Sequence, residues 1–263
     1  MLGRGVRVRC AEPATYTLVA AAYGEMQDDA STIDLDYTVG QNGADAAFYI
    51  ARPGQKALTA RDDGTFLALF DKDIAIELQK LRRDLYFVHA AVLTRGEAVM
   101  LVAKPGGGKS TLTWALLHHG FGFLSDELAP VDLDTLEVHP YPRTLALKRE
   151  PPGSYPLPRR TVVTSRTLHV RSVPGSVVKG PTPLGALVFL NYDPDATGPK
   201  IRPLTAAEAG ARLYANALNP LAHAGNGLDG AVRITAAHPC YELVSADLSA
   251  TCALLARTLE PSE

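Results

Sequence analysis

Residues 98–112 read Ala-Val-Met-Leu-Val-Ala-Lys-Pro-Gly-Gly-Gly-Lys-Ser-Thr-Leu. An uncharged run, Ala98–Val102, predicts a buried strand. It enters a glycine-rich loop in which Gly106, Gly107 and Gly108 let successive backbone N–H groups turn toward one anion. Lys-Ser-Thr follows, and Thr111–His119 (TLTWALLHH) has helical periodicity, which predicts a helix whose N-terminal dipole faces that anion. The order strand, glycine loop, Lys-Ser-Thr, helix is that of a phosphate-binding P-loop. It predicts that Pro105, Gly106, Gly107, Gly108, Lys109, Ser110 and Thr111 cradle the phosphates of a nucleotide. Lys109 would neutralise β/γ oxygens and Ser110 would ligate Mg²⁺. The first glycine of the pattern is replaced by Ala103. A plain glycine-rich turn between strand and helix is the alternative.

Working outward, Gly120 caps the helix, and Phe121–Ser125 predicts a strand that ends in Asp126 and Glu127. If that strand lies beside Ala98–Val102, both acids emerge at the carboxyl edge of the sheet, where open α/β sheets bind ligands. Upstream, Leu85–Leu93 reads as one strand containing His89, and Thr94–Glu97 as the turn into the next strand. An acid at this edge can orient an alcohol and accept its proton, and a second can hold Mg²⁺. His89 is placed to hydrogen-bond Asp126 and tune it. The plainer readings are an ordinary acid pair at a strand end, a packed histidine, and, for His118–His119, favourable placement at a helix C-terminus. Asp193, after the strand Leu184–Leu190, is a rival Mg²⁺ acid, although Asn191–Asp195 also reads as a turn.

The remaining organisation is less specific. Residues 5–70 look β-rich, with strands expected at Val6–Val8, Tyr16–Val19, Thr32–Val39, Ala46–Ile50 and Thr65–Phe70. Asp71–Asp84 predicts a helix. Leu128–Asp132 with Leu136–Val138 predicts a hairpin. Thr205…Glu208 opens a capped helix to Leu218, Tyr241–Val244 is a short strand, and Leu248–Thr258 a closing helix. Residues 150–183 are rich in proline and glycine and predict loops, with a lid over the acceptor as one reading and a static surface as the other. The expected domains are residues 1–75 (β-rich) and 76–263.

The 263 residues are 46% hydrophobic and 21% charged with net charge −2, the composition of a soluble globular protein. That charge makes no electrostatic case for nucleic acid or an anionic membrane. No apolar run reaches membrane-spanning length, and the N-terminus lacks the apolar core of a signal peptide. Cys10, Cys240 and Cys252 fit no metal spacing, so a cytoplasmic protein is expected.

The order HAA…AKPGGGKST…SDE (His89 to Glu127) resembles the kinase domain of HPr kinase/phosphorylase. It is closer to the smaller HPr-kinase-related proteins, some of which phosphorylate serine in ribosomal (lasso) peptides. The resemblance is strong over about residues 85–130, weaker to Lys148, and general in architecture from Leu184. It implies a mixed α/β fold of the HPr kinase/PEP carboxykinase type, a sheet flanked by helices behind an N-terminal β-rich part. By match, it implies ATP at the loop with Lys109, Mg²⁺ at Ser110 and the acid pair Asp126 and Glu127, Asp126 as catalytic base and His89 as its assistant. The chain departs from the family at Glu127, where aspartate stands, and lacks the Leu-Glu-Ile-Arg-Gly segment; the nearest stretch is Leu145-Ala146-Leu147-Lys148. The basic segment tied to the phosphorylase reaction is also missing. These two absences argue against HPr as substrate and against the reverse phosphorolysis.

The expectation is an ATP- and Mg²⁺-dependent kinase acting on a hydroxyl, either a peptide serine or a small-molecule alcohol. Arg143, Arg159 and Arg160 are candidates for a phosphate or acidic contact, and Lys148 for a basic one. A nucleotide-binding switch or assembly protein, or a degenerate ATP-binding relative without transferase activity, are the rival functions. A homo-oligomer is compatible with the sequence, which does not name the acceptor.

Overall fold

The computed structural model describes residues 1–29, 31–42 and 47–259. The chain is mixed α/β and divides into two compact units. Unit 1 is Met1–Arg82 with Arg143–Ser172, and unit 2 is Arg83–Pro142 with Val173–Glu263. The division differs from the one expected: residue 75 lies inside a helix, and the segment 143–172 belongs with the N-terminal part. Among the described residues no helix is long and apolar enough to cross a membrane.

Unit 1 begins with β1 (Val6–Cys10), α1 (Pro13–Tyr23), β2 (Leu35–Asn42), β3 (Ala47–Ala51), β4 (Leu58–Ala60) and α2 (Asp63–Leu81). The strands form one sheet in that order, with β1 parallel to β2 and the rest antiparallel. Burial alternates along β2, with Leu35, Tyr37 and Val39 inside, as period-two patterning requires. Ala46, expected in β3, lies outside the described residues.

Two expected strands are helices. Tyr16–Val19 lies in α1, where Pro13 opens the helix and Thr15, Val19 and Tyr23 are buried at four-residue spacing. Thr65–Phe70 is the first half of α2. Asp62 caps it by accepting from Thr65 N at 2.7 Å, and Phe66, Phe70, Ile74 and Leu78 make one buried stripe across the expected boundary. The stripe forms the aromatic core of unit 1. Phe70 meets Tyr37 edge-on at 5.2 Å and Tyr23 at 5.8 Å, and Phe66 stacks on Phe48 at 4.9 Å.

Unit 2 starts with β5 (Leu85–Val88), β6 (Ala90–Arg95), β7 (Glu97–Ala103), α3 (Lys109–His118), β8 (Gly122–Ser125), β9 (Ala129–Asp132) and β10 (Glu137–Val138). The chain then returns to unit 1 for β11 (Leu145–Leu147), β12 (Val162–Val163) and β13 (Leu168–Val170), a small antiparallel sheet in the order β11-β13-β12. Unit 2 resumes with β14 (Thr182–Tyr192), β15 (Lys200–Pro203), α4 (Ala206–Tyr214), α5 (Leu228–Ala237), β16 (Cys240–Ser245) and α6 (Leu248–Thr258). The capping box at Thr205 and Glu208 is present. The stretch 150–183 is therefore split between the units. In unit 2 its residues 176–178 run along β8, with Val178 N donating to Phe123 O at 2.9 Å.

The sheet of unit 2 is mixed and curled, in the order β5-β9-β10-β14-β7-β6-β8, with β16 also on β14 and β15 on β16. The curl has a visible cause. The antiparallel pair β6/β8 and the antiparallel pair β5/β9 are one long ribbon interrupted in both strands. Val88 pairs with Ala129 on one side of the gap, and Val92 with Ser125 on the other. Between them His89 leaves the ladder on one strand, giving its N–H to Asn216 O at 2.8 Å, and Asp126–Leu128 leave it on the other. The core behind the gap is apolar, built from Val88, Ala90, Val102, Leu124, Ala129 and Leu187 among others.

Candidate functional site

Four strand ends meet at this gap. β6 runs antiparallel to both β7 and β8, so its first residues lie beside the last residues of its neighbours. β8 is not next to β7, as expected, but one strand away. Because β6 separates them, β7 and β8 still point the same way, and Ala103 and Asp126 reach the same edge. β14 is parallel to β7, pairing Leu190 with Ala103, and delivers Asp193 to that edge too.

The glycine loop is shaped by its sequence. Gly106 and Gly108 hold φ of 81° and 85°, a region that L side chains disfavour. A Cβ on Gly107 would lie 3.0 Å from Lys104 O, against the turn closed by the Gly107 N–H to Lys104 O bond of 2.9 Å. Ala103 ends β7 outside the left-handed region, so alanine is accommodated there without backbone strain. Gly108 is the N-cap of α3 and contributes no side-chain cap. The first amides of the helix therefore keep their donors for another acceptor. Trp114, Leu116 and Leu117 bury α3, which fixes the direction of its dipole.

Lys109 and Ser110 begin α3 and meet the acids. The Lys109 side chain is buried, and its Nζ lies 3.8 Å from both Asp126 Oδ1 and Glu127 Oε2. Ser110 Oγ donates to Asp126 Oδ2 at 3.0 Å. Asp126 is fully buried. Glu127 has φ 79°, a left-handed backbone that costs a non-glycine residue about 1–2 kcal/mol. The turn that imposes it is closed by Ser125 Oγ donating to Leu128 O.

His89 pairs with Glu127, not Asp126 as expected, with Nε2 and Oε2 2.7 Å apart. An ionised carboxylate only accepts, so Nε2 carries the hydrogen and donates. The same nitrogen is 3.4 Å from Lys109 Nζ; with both atoms as donors, that approach is a packing contact rather than a hydrogen bond.

The structure thus brings His89, Lys109, Ser110, Asp126 and Glu127 together behind the loop Pro105–Gly108, with Thr111 in the first turn of α3. Asp193 sits at the same edge but its carboxylate accepts from Asp195 N at 3.0 Å, in a turn. Arg143, a candidate anion contact, is buried in unit 1 and pairs with Asp71 at 2.7 Å. Arg159, Arg160 and Lys148 are exposed residues of the same unit. Asn216, which takes the His89 N–H, carried no motif signal.

Chemically, the loop and helix amides with Lys109 suit a polyanion. The Ser110 hydroxyl and Asp126 carboxylate offer two adjacent oxygens to a hard cation. Among the described residues no group of three or more His, Cys, Asp or Glu is arranged to hold a metal ion. A cation here would complete its shell with water and ligand oxygens, as Mg²⁺ does in nucleotide sites. No family model matches the chain, and no curated protein matches it.

Proposed function

We propose that the protein is an ATP- and Mg²⁺-dependent phosphotransferase of the HPr-kinase-like kind, with a hydroxyl as acceptor. The observation that carries this reading is the meeting, at one sheet edge, of a glycine loop heading α3, a buried lysine and serine on its first turn, and two carboxylates following β8. The sequence order His89, Lys109-Ser110, Asp126 resembles that family, with Glu127 standing where the family has aspartate. Its serine acceptor extends to this chain as a peptide serine or a small alcohol.

The roles follow from the chemistry of each group. The amides of Gly106–Thr111 and Lys109 hold the β- and γ-phosphates. Ser110 and Asp126 would hold Mg²⁺, which would supply positive charge to offset that of the phosphates. A carboxylate of the pair takes the proton of the acceptor. With the charged oxygens bound, Lys109 exchanges its carboxylate neighbours for phosphate.

The test is direct titration of the full chain with MgADP. Lys109→Met is expected to weaken binding by about a hundredfold or more, the scale of a charge-assisted phosphate contact in a partly desolvated site. Equal affinity for the two proteins would refute the reading.

A further inference from the structure

The two acids that follow β8 are not equivalent. Asp126 is fully buried, and its oxygens face Ser110 Oγ at 3.0 Å and Lys109 Nζ at 3.8 Å. Both neighbours belong to the loop-and-helix apparatus, which places Asp126 on the phosphate and metal side of the site. Glu127 keeps 45% of its side chain exposed. Its left-handed backbone breaks the alternation of β8 and turns the side chain onto His89. His89 is itself fixed at the interruption of the ribbon by its backbone bond to Asn216 O. Left-handed non-glycine backbone clusters at functional sites, and here it coincides with the His89 contact.

We infer that Glu127 is the general base for the acceptor, that His89 is its positioning residue, and that Asp126 serves the metal together with Ser110. This rests on the phosphotransferase reading, and it divides the acid pair differently from the family resemblance, which gives the base to Asp126. In the step, the acceptor oxygen bonds to the γ-phosphorus as the bond from that phosphorus to the β–γ bridging oxygen breaks. The bridging oxygen leaves with the nucleoside diphosphate, and the acceptor proton passes to the Glu127 carboxylate. One P–O bond forms, one breaks and one proton moves; the reactants are a nucleoside triphosphate and an alcohol or water. His89, donating from Nε2, aims the carboxylate and restrains its rotation.

The experiment uses the full chain with MgATP, water serving as the acceptor, and reads ADP formation alongside ADP affinity with and without Mg²⁺. Glu127→Gln is expected to bind MgADP as the parent does while ADP formation falls about a hundredfold, the scale of a lost general base. Asp126→Asn is expected to lose the gain in ADP affinity that Mg²⁺ confers. His89→Ala should lower kcat about tenfold at unchanged MgADP affinity, with partial rescue in His89→Asn, which keeps a donor. Glu127→Asp, which keeps the carboxylate, should retain more turnover than Glu127→Gln. Parental turnover in Glu127→Gln, or loss of the Mg²⁺ effect there rather than in Asp126→Asn, overturns the assignment and leaves the phosphotransferase reading standing. A parent chain that neither binds MgADP nor forms ADP overturns both.

Discussion

Unit 1 should lose stability in mild acid through one histidine. His169 lies in β13, the middle strand of β11-β13-β12, and is 2% exposed. Its Nε2 meets Thr167 Oγ at 2.8 Å. Burial, and next the nearby Arg143 charge, push its pKa down to about 4, against smaller opposing effects of Asp71 and Asp63. The folded state therefore holds this ring neutral. In the unfolded chain it protonates near pH 6.5. Above that value its contribution is fully present. As pH falls from 6.5 toward 4, the unfolded state gains a proton that the folded state refuses, and stability drops. Between pH 7.5 and 4.5 the loss from this group is about 2.5 kcal/mol, with a steepest slope of about 1.2 kcal/mol per pH unit. The assay is urea unfolding at the two pH values, with hydrogen exchange followed over residues 143–172. In His169→Gln, which keeps a polar group toward Thr167 but does not titrate, the pH-dependent loss should shrink by that amount. Equal losses in the two proteins would refute the argument.

Two further perturbations test the loop and the core. Gly107→Ala should weaken MgADP binding by about tenfold, because its Cβ meets Lys104 O and the amides must shift; the melting temperature should stay within a few degrees, and unchanged affinity would show that the loop adapts. Phe70→Ala removes a fully buried ring packed on Tyr23, Tyr37 and Phe66. It should cost about 3–5 kcal/mol, read as a lower urea midpoint and lost exchange protection across Met1–Arg82; a cost below about 1 kcal/mol would contradict the packing described.

Much of unit 2 was legible in the chain because its signals are local. The uncharged run Ala98–Val102, the loop glycines and Lys109-Ser110 specify strand, turn and helix without reference to anything distant. Gly120 stops α3 with φ 84°, and Thr205 with Glu208 starts α4, for the same reason. Short-range signals misled where one stripe crossed an assumed boundary. β-branched and aromatic residues at Tyr16–Val19 and Thr65–Phe70 suggest strands, yet Pro13 and Asp62 start helices whose buried positions repeat every four residues. The helix α5 and the strands β4, β11–β13 and β15 carried too little periodicity of their own to be read.

The sequence by itself determined which residues are equipped for the site: a glycine-rich loop, a cation and a hydroxyl on the first turn of a helix, a histidine and two acids on neighbouring stretches. What each of them faces was decided by tertiary structure. His89 reads as mid-strand because its neighbours are apolar, but the ribbon β5β6/β8β9 breaks there and opposite, at Asp126–Leu128. That paired break turns Glu127, not Asp126, toward His89, and leaves Asp126 buried against Ser110. It depends on strand pairing between segments whose flanking pairs, Val92 with Ser125 and Val88 with Ala129, are 33 and 41 residues apart, so no short window of sequence contains it. The same holds for Arg143. A basic residue that follows the acid pair in sequence invites an anion, and only folding shows that Asp71, 72 residues away, already takes it.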